Sequence, residues 1–248
     1  MAWALDLDGV VWLGDEEVPG AAEAVARLRA AGERIVFVTN NSAVPVGGVE
    51  AKLAAHGIPA AGDVLTSALA VARLVTPGER VLVCGGPGVV EALTAMGAEV
   101  VTTGPVDTVV VGLARDLTYD LLRRTVTAVL AGARLLATND DATYPTAAGP
   151  EPGAGAVLAA VTTASGAVPT IAGKPHRPMV ELVHSHLGPT GIMVGDRPDT
   201  DGRMARALGY RFGLVLSGVT GLGDLPVDPP PDLVAADLGA LVAGALGR

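Results

Sequence analysis

The chain has 248 residues, half of them hydrophobic and only 3% aromatic, with 17 basic and 26 acidic side chains and a formal net charge of −9. That length suits one large domain or two modest ones, and an apolar mass of Ala, Val and Leu suits helices packed closely on a parallel sheet. The acidic balance argues against nucleic acid or an anionic membrane as the main partner, and no apolar run of about 18 residues offers a transmembrane helix. Cys84 is the only cysteine, so an internal disulfide is excluded and a buried packing role is expected for it. The N-terminus enters a strand without the basic region of a signal peptide, which predicts a cytoplasmic protein.

In chain order the elements alternate. "WALDL" reads as a strand, "GAAEAVARLRAAG" as a helix ending at Gly32, and "RIVFVTN" as a second strand. "PVGGVEAKLAAHG" and "SALAVARLV" read as helices. "TPGER" at 76–80 is a turn, after which "VLVCGGPGVVEALTAMG" starts a new strand–helix unit. "VDTVVVGLA", "TYDLLRRTVTAVLAG" and "RLLATN" continue as strand, helix, strand. A Pro/Gly-rich loop follows, and then the helix "AVLAAVTTASG". The first pattern resumes at "PTIAGKPHRPMVELVHSHLG" with a short strand, a loop and a helix. "GIMVGDRPDTDGRMARALG" is a strand, an acidic loop and a helix, and "YRFGLVLSGV" is a further strand. The fold class is α/β: a doubly wound, Rossmann-like parallel-sheet core over residues 1–76 and 171–248, with an α/β unit inserted over 77–170.

Ligands of such sheets bind beyond the carboxyl ends of the strands. Asp6 and Asp8 lie there at the first strand, Thr39 and Asn40 at the second, and Asp196, Asp199 and Asp201 at a later one. Clustered carboxylates repel one another and stay ionised together only beside a cation. Oxygen donors without His or Cys suit a hard cation, magnesium first. Lys174 in "AGKP" reaches the same edge, and in a chain whose only other lysine is Lys52 it is a deliberate point charge.

In this order, "DLDGV", "VTNNS", "GKP" and "GDRPDTD" resemble the four motifs of the haloacid-dehalogenase-like (HAD) superfamily. The segment inserted between the second and third motifs, with "LLATNDDATYPTAAGPEPGAGAVLAAVTTASG", is similar to the α/β cap of its NagD-like, p-nitrophenyl-phosphatase-type hydrolases (subclass IIA). The resemblance spans nearly the whole chain. It implies a magnesium-dependent phosphatase acting on a small phosphomonoester, such as a sugar, glycerol, glycolate or nucleotide phosphate, through an aspartyl-phosphate. Asp6 matches the nucleophile and Asp8 the general acid and base. Thr39, Asn40 and Lys174 match the phosphate-binding positions. Asp6, the Asp8 main-chain carbonyl and Asp196 match the metal ligands, with Asp201 as an outer-shell group. In the cap loop 138–145, Asn139, Asp141 and Tyr144 are the expected substrate contacts. For Asn139 and Asp141 the other reading is that they tie the turn together. Asp140 departs from the subclass, which often has Pro there.

Two other readings stay open on the sequence: a different HAD reaction of the phosphomutase kind, and a non-catalytic phosphate- or metal-binding module. Dehalogenation fits poorly, because it needs neither Asp8 nor a metal. Expected partners are a small phosphorylated substrate, with no nucleic acid and no membrane, and the assembly is left between monomer and homodimer. "CGGPG" imitates a dinucleotide fingerprint but lacks its third glycine in register. His56, His176, His184 and His186 show no ligand spacing.

Overall fold

The computed structural model describes residues 1–146 and 149–247. They form two compact units. One comprises residues 1–39, 49–65 and 174 onward; the other comprises 40–48 and 66–173.

The first unit is built on a six-stranded sheet in the order Leu233–Ala235, Arg211–Val215, Ile192–Gly195, Ala2–Leu5, Arg34–Thr39, Val64–Thr66. The central strands run parallel. Ala2–Leu5 is buried at every position, as expected of a strand covered on both faces. Its register sets Leu5 opposite both Val194 and Phe37. The carboxyl ends of three strands are thereby brought level, and Asp6 is the first residue beyond its strand. Helix Ala21–Ala30 buries Ala21, Ala24, Val25 and Leu28, a stripe at helical spacing, and carries Glu23 in its first turn and Arg27 and Arg29 in its last, each complementing the helix dipole.

The second unit has a five-stranded sheet in the order Thr170–Ile171, Arg134–Ala137, Thr108–Val111, Arg80–Cys84, Glu99–Val100. Its core packs Leu82, Cys84, Val109, Val111 and Ala137 against Val157, Leu158 and Val161 of helix Ala154–Ser165. Cys84 is fully buried, as a packing role requires.

Several details differ from the sequence reading. The pattern of "PTIAG" predicts a core strand; its residues Thr170–Ile171 instead pair with Leu136 and Ala137 in the second sheet. Residues 66–76 and 40–48 also group with the second unit, against expected divisions at 76/77 and 170/171. Gly86 and Gly88 explain part of this. A Cβ at Gly86 would lie 2.7 Å from the Ala43 Cα, and one at Gly88 would lie 2.4 Å from the Val44 carbonyl oxygen. The glycines of "CGGPG" thus admit the 43–44 backbone onto helix Pro87–Ala95, where the Gly88 N–H donates to the Ala43 carbonyl at 3.0 Å. The loop expected over 138–145 runs into a hairpin, Thr143–Thr146 against Gly149–Pro152.

Glu79 anchors the start of the second sheet. Its carboxylate accepts from the Thr76 N–H and hydroxyl, the Thr108 hydroxyl and Arg134. Burial raises its pKa, but those donors outweigh it and hold the carboxyl down at about 2. Glu79→Ala is expected to destabilise this unit by roughly 2 kcal/mol, as loss of a multiply bonded carboxylate does. Urea unfolding checks this; an unchanged midpoint would remove Glu79 from the account.

Candidate active site

The site grows out of four chain segments at the carboxyl end of the first sheet. Asp6 follows Leu5, and its N–H donates to the Val194 carbonyl at 2.9 Å, holding the two strand ends together. Its side chain accepts from the Leu7 N–H at 2.8 Å. Lys174, 2% exposed, places Nζ 2.7 Å from Asp6 Oδ1 and 2.8 Å from Asp201 Oδ1. Asp201 Oδ2 accepts from the Arg197 N–H at 3.1 Å. Thr39 ends its strand, buried, two residues beyond the Phe37 that pairs with Leu5.

The acidic loop predicted at "GDRPDTD" is a π-helical turn over Pro198–Gly202, leading into helix Arg203–Leu208. Single turns of this kind recur at functional sites because they re-aim side chains. Here the turn separates two aspartates that looked alike in sequence. Asp201 is fully buried, whereas Asp199 faces outward and pairs with Arg197 at 2.9 Å. Asp199 therefore leaves the cluster to which it was assigned, because its carboxylate is neutralised by a surface guanidinium.

Asp6, Asp196 and Asp201 each offer a carboxylate oxygen within 4.8 Å of the others'. Asp201 contributes an oxygen to this cluster while its Oδ1 also holds Lys174. Asp196 Oδ2 accepts from the Val219 N–H at 2.6 Å, but its buried Oδ1 has no hydrogen-bond partner among the described residues. An unpaired buried carboxylate oxygen is costly unless a cation takes it up. Backbone packs closely against the other oxygen, Oδ2. A Cβ at Gly218 would lie 2.0 Å and one at Gly9 would lie 2.4 Å from Asp196 Oδ2, and Gly9 also has φ +83°, so glycine is required there twice over.

The electrostatics agree. Burial pushes the Asp6 carboxyl up to about 6; Lys174 pulls it back and Asp196 adds to the rise. Burial and Asp201 raise Asp196 to about 7, against the Val219 N–H. Burial and Asp6 raise Asp201 to about 7, against Lys174. Burial works against the Lys174 ammonium, but Asp201 and Asp6 outweigh it and hold its pKa above the ordinary value. Asp8 is raised mainly by burial. One lysine does not neutralise three acids, and an all-oxygen donor set with one orphaned oxygen fits a hard divalent cation.

The remaining predicted residues lie in the second unit and bind one another. Asn40 Nδ2 donates to Asp141 Oδ2 at 3.0 Å, and Asn139 Nδ2 donates to the Asn40 carbonyl at 2.7 Å. Asn139 Oδ1 accepts from the Asp141 N–H at 3.1 Å, an Asx turn. Asn41 Nδ2 donates to the Tyr144 hydroxyl at 3.3 Å, and the Arg115 guanidinium lies 5.2 Å from the Tyr144 ring centroid. Asn139 and Asp141 thus hydrogen-bond within and beside this loop. His184 and His186 serve structure, bonding the carbonyls of Leu208 and Leu182.

Sequence reasoning missed Trp12, whose indole nitrogen lies 3.1 Å from Asp8 Oδ1. The four-residue spacing in "DGVVW" was the available signal. It also missed Gly218, which no motif marks.

A Rossmann-like α/β sheet bearing a lysine-anchored carboxylate cluster at its strand ends defines a metal-assisted hydrolase of acyl or phosphoryl groups. The family model for haloacid dehalogenase-like hydrolases matches residues 3–99, and a second, HAD-hydrolase-like, matches 171–241. An acid sugar phosphatase of Staphylococcus saprophyticus is 38% identical over 81% of this chain and 80% of its own length. The D-glycerol 3-phosphate phosphatase of Mycobacterium tuberculosis is 36% identical over 96% of this chain and 69% of its own. Among solved structures, a p-nitrophenyl phosphatase from Archaeoglobus fulgidus is 30% identical with TM-score 0.92, covering 98% of each chain. The M. tuberculosis glycerol phosphate phosphatase in complex with magnesium is 34% identical with TM-score 0.89, over 97% of this chain and 75% of that one. The chain belongs to the haloacid dehalogenase-like hydrolases, in their NagD-like, p-nitrophenyl-phosphatase-type subclass, and is a phosphatase of that class. No helix among the described residues is long and apolar enough to cross a membrane.

Proposed function

We propose that the protein is a magnesium-dependent phosphomonoesterase for a small phosphorylated metabolite of the sugar or glycerol phosphate kind, working through an aspartyl-phosphate on Asp6. The observation that carries this reading is the buried array of Asp6, Lys174, Asp196 and Asp201, in which Asp196 Oδ1 has no hydrogen-bond partner among the described residues.

Asp6, Asp196 and the Asp8 main-chain carbonyl would hold the metal, with Asp201 anchoring Lys174 beside them. When bound, the cation supplies positive charge against the combined negative charge of nucleophile and phosphate. Lys174 fixes the Asp6 rotamer through a 2.7 Å contact and offers its remaining charge to the phosphoryl oxygens, with Thr39 and Asn40 as further phosphate-binding groups. Asp6 attacks phosphorus and the bond to the leaving oxygen breaks. Asp8 gives that oxygen its proton, then takes one from the water that releases phosphate from Asp6. Burial raises the Asp8 carboxyl above its ordinary value, the direction that favours a proton donor. The phosphomutase and non-catalytic readings gain no observation of their own.

The groups above handle only the phosphoryl end, so selection among esters needs another source. We assign it to the second unit, read as residues of a cap, with Tyr144 as the substrate contact and Asn139 and Asp141 as the frame that holds its loop. The test is kcat/KM over a panel of phosphomonoesters, p-nitrophenyl phosphate included, for wild type and Tyr144→Ala. The expected result is a changed ranking, with the preferred ester losing about tenfold relative to the others. A uniform change across the panel would place selection elsewhere.

A further inference from the structure

We propose that Trp12 is a positioning residue for the proton-transfer step: its indole N–H fixes the Asp8 carboxyl, and Lys52 and His56 fix the indole. This rests on the reading of Asp8 as the general acid.

The backbone between the two residues is closed on itself. The Leu7 carbonyl accepts from the N–H groups of Val10, Val11 and Trp12 at 3.2, 2.8 and 3.2 Å, and the Gly9 N–H donates to the Trp12 carbonyl at 2.7 Å. Gly9 makes this turn at φ +83°. Residues 8 and 12 consequently present their side chains to each other, and Trp12 Nε1 donates to Asp8 Oδ1 at 3.1 Å. Trp12 is 4% exposed, so water does not compete freely for this bond.

The indole is held in turn. Lys52 Nζ lies 4.5 Å from the ring centroid, a cation–π distance, and donates to the Gly14 carbonyl at 2.5 Å. The His56 ring lies 5.9 Å from the indole, centroid to centroid. Lys52 and His56 are four residues apart, at and just beyond the end of helix Val46–Ala55, and so stand on one face. Of the two lysines in the chain, one sits at the carboxylate cluster and the other on this ring.

The chemistry of the donor gives the arrangement its use. An indole nitrogen only donates, so the oxygen it bonds serves as an acceptor whether or not Asp8 carries a proton. The transferable proton is thereby confined to Oδ2, in one carboxyl rotamer. Loss of the N–H leaves the carboxyl free to rotate and spreads the proton over both oxygens. In the phosphoryl-transfer step, which kcat/KM reports, only a leaving group that must be protonated feels that loss; hydrolysis of the aspartyl-phosphate is common to all esters.

The experiment compares kcat/KM for glycerol 3-phosphate, whose alkoxide needs a proton, with that for p-nitrophenyl phosphate, whose phenolate departs without one. Wild type, Trp12→Phe and Asp8→Asn are measured side by side; Phe keeps an aromatic ring for Lys52 and His56 while removing the donor with the five-membered half of the indole. Trp12→Phe is expected to lower the glycerol phosphate value about tenfold more than the nitrophenyl value, and Asp8→Asn to do the same by about a hundredfold. An even response in Trp12→Phe, with the preference present in Asp8→Asn, overturns the role of Trp12 alone. An even response in Asp8→Asn overturns the general-acid reading and this inference with it. Should Trp12→Phe not fold, Lys52→Met is read in its place: a shift of the same ratio by about threefold supports the proposal, and an even response overturns it.

Discussion

Asp6→Asn is expected to abolish turnover, with a loss of at least about a thousandfold for every phosphomonoester tested. The amide keeps the size of the side chain and its hydrogen bond from the Leu7 N–H, but it is no nucleophile toward phosphorus. The fold should survive, because Lys174 keeps its 2.8 Å contact to Asp201 and one of three mutually repelling acids is removed. The measurement pairs steady-state kinetics with acid-quench trapping of labelled phosphoenzyme, which wild type should form and the variant should not. Wild-type rates in Asp6→Asn, with no trapped aspartyl-phosphate in either protein, would end the covalent mechanism.

Removal of divalent cations is expected to stop activity, and magnesium to restore it, with calcium inhibiting because its longer, more numerous bonds misplace Asp6. Melting temperature offers a second readout whose sign follows from the carboxyls. Asp196 and Asp201 titrate at about 7 in the cation-free protein, above the ordinary value of 3.8. A group with a raised folded-state pKa holds its proton more tightly when folded. Its contribution to stability is therefore fully present below about pH 4 and is lost as pH rises through about 7. Magnesium binds the ionised form, so the gain in melting temperature from added magnesium should grow from about pH 5 to about pH 8. Full activity in excess chelator, together with a magnesium effect on melting that is flat in pH, would remove the metal from this cluster.

The local features of the site were legible because they are short-range. Asp6 and Asp8 beyond a buried strand, Thr39 at the end of the next and Asp196 after "GIMVG" are each set by one strand and the residue following it, and strand ends in a parallel sheet converge. Asp199 and Asp201 were not separable that way. Two residues apart in an acidic loop they look equivalent, and only the π-helical turn over Pro198–Gly202 sends one inward to Lys174 and the other out to Arg197. Strand Thr170–Ile171 was misassigned for a similar reason. Two residues carry too little pattern to say which sheet they join, and the pairing with Leu136 and Ala137 settles it.

By itself the sequence determined the α/β class, the order of the main elements and the resemblance to the haloacid dehalogenase-like hydrolases. Periodicity, turn residues and the chemistry of Asp and Lys act over a few residues and are written into the chain directly. Tertiary structure decided which groups share an environment. It left Asp196 Oδ1 without a partner, pressed Gly9 and Gly218 against the same carboxylate and brought Trp12 under Lys52 from 40 residues away. Such contacts join segments far apart in the chain, and burial and pairing energies exist only once the sheet has drawn those segments together.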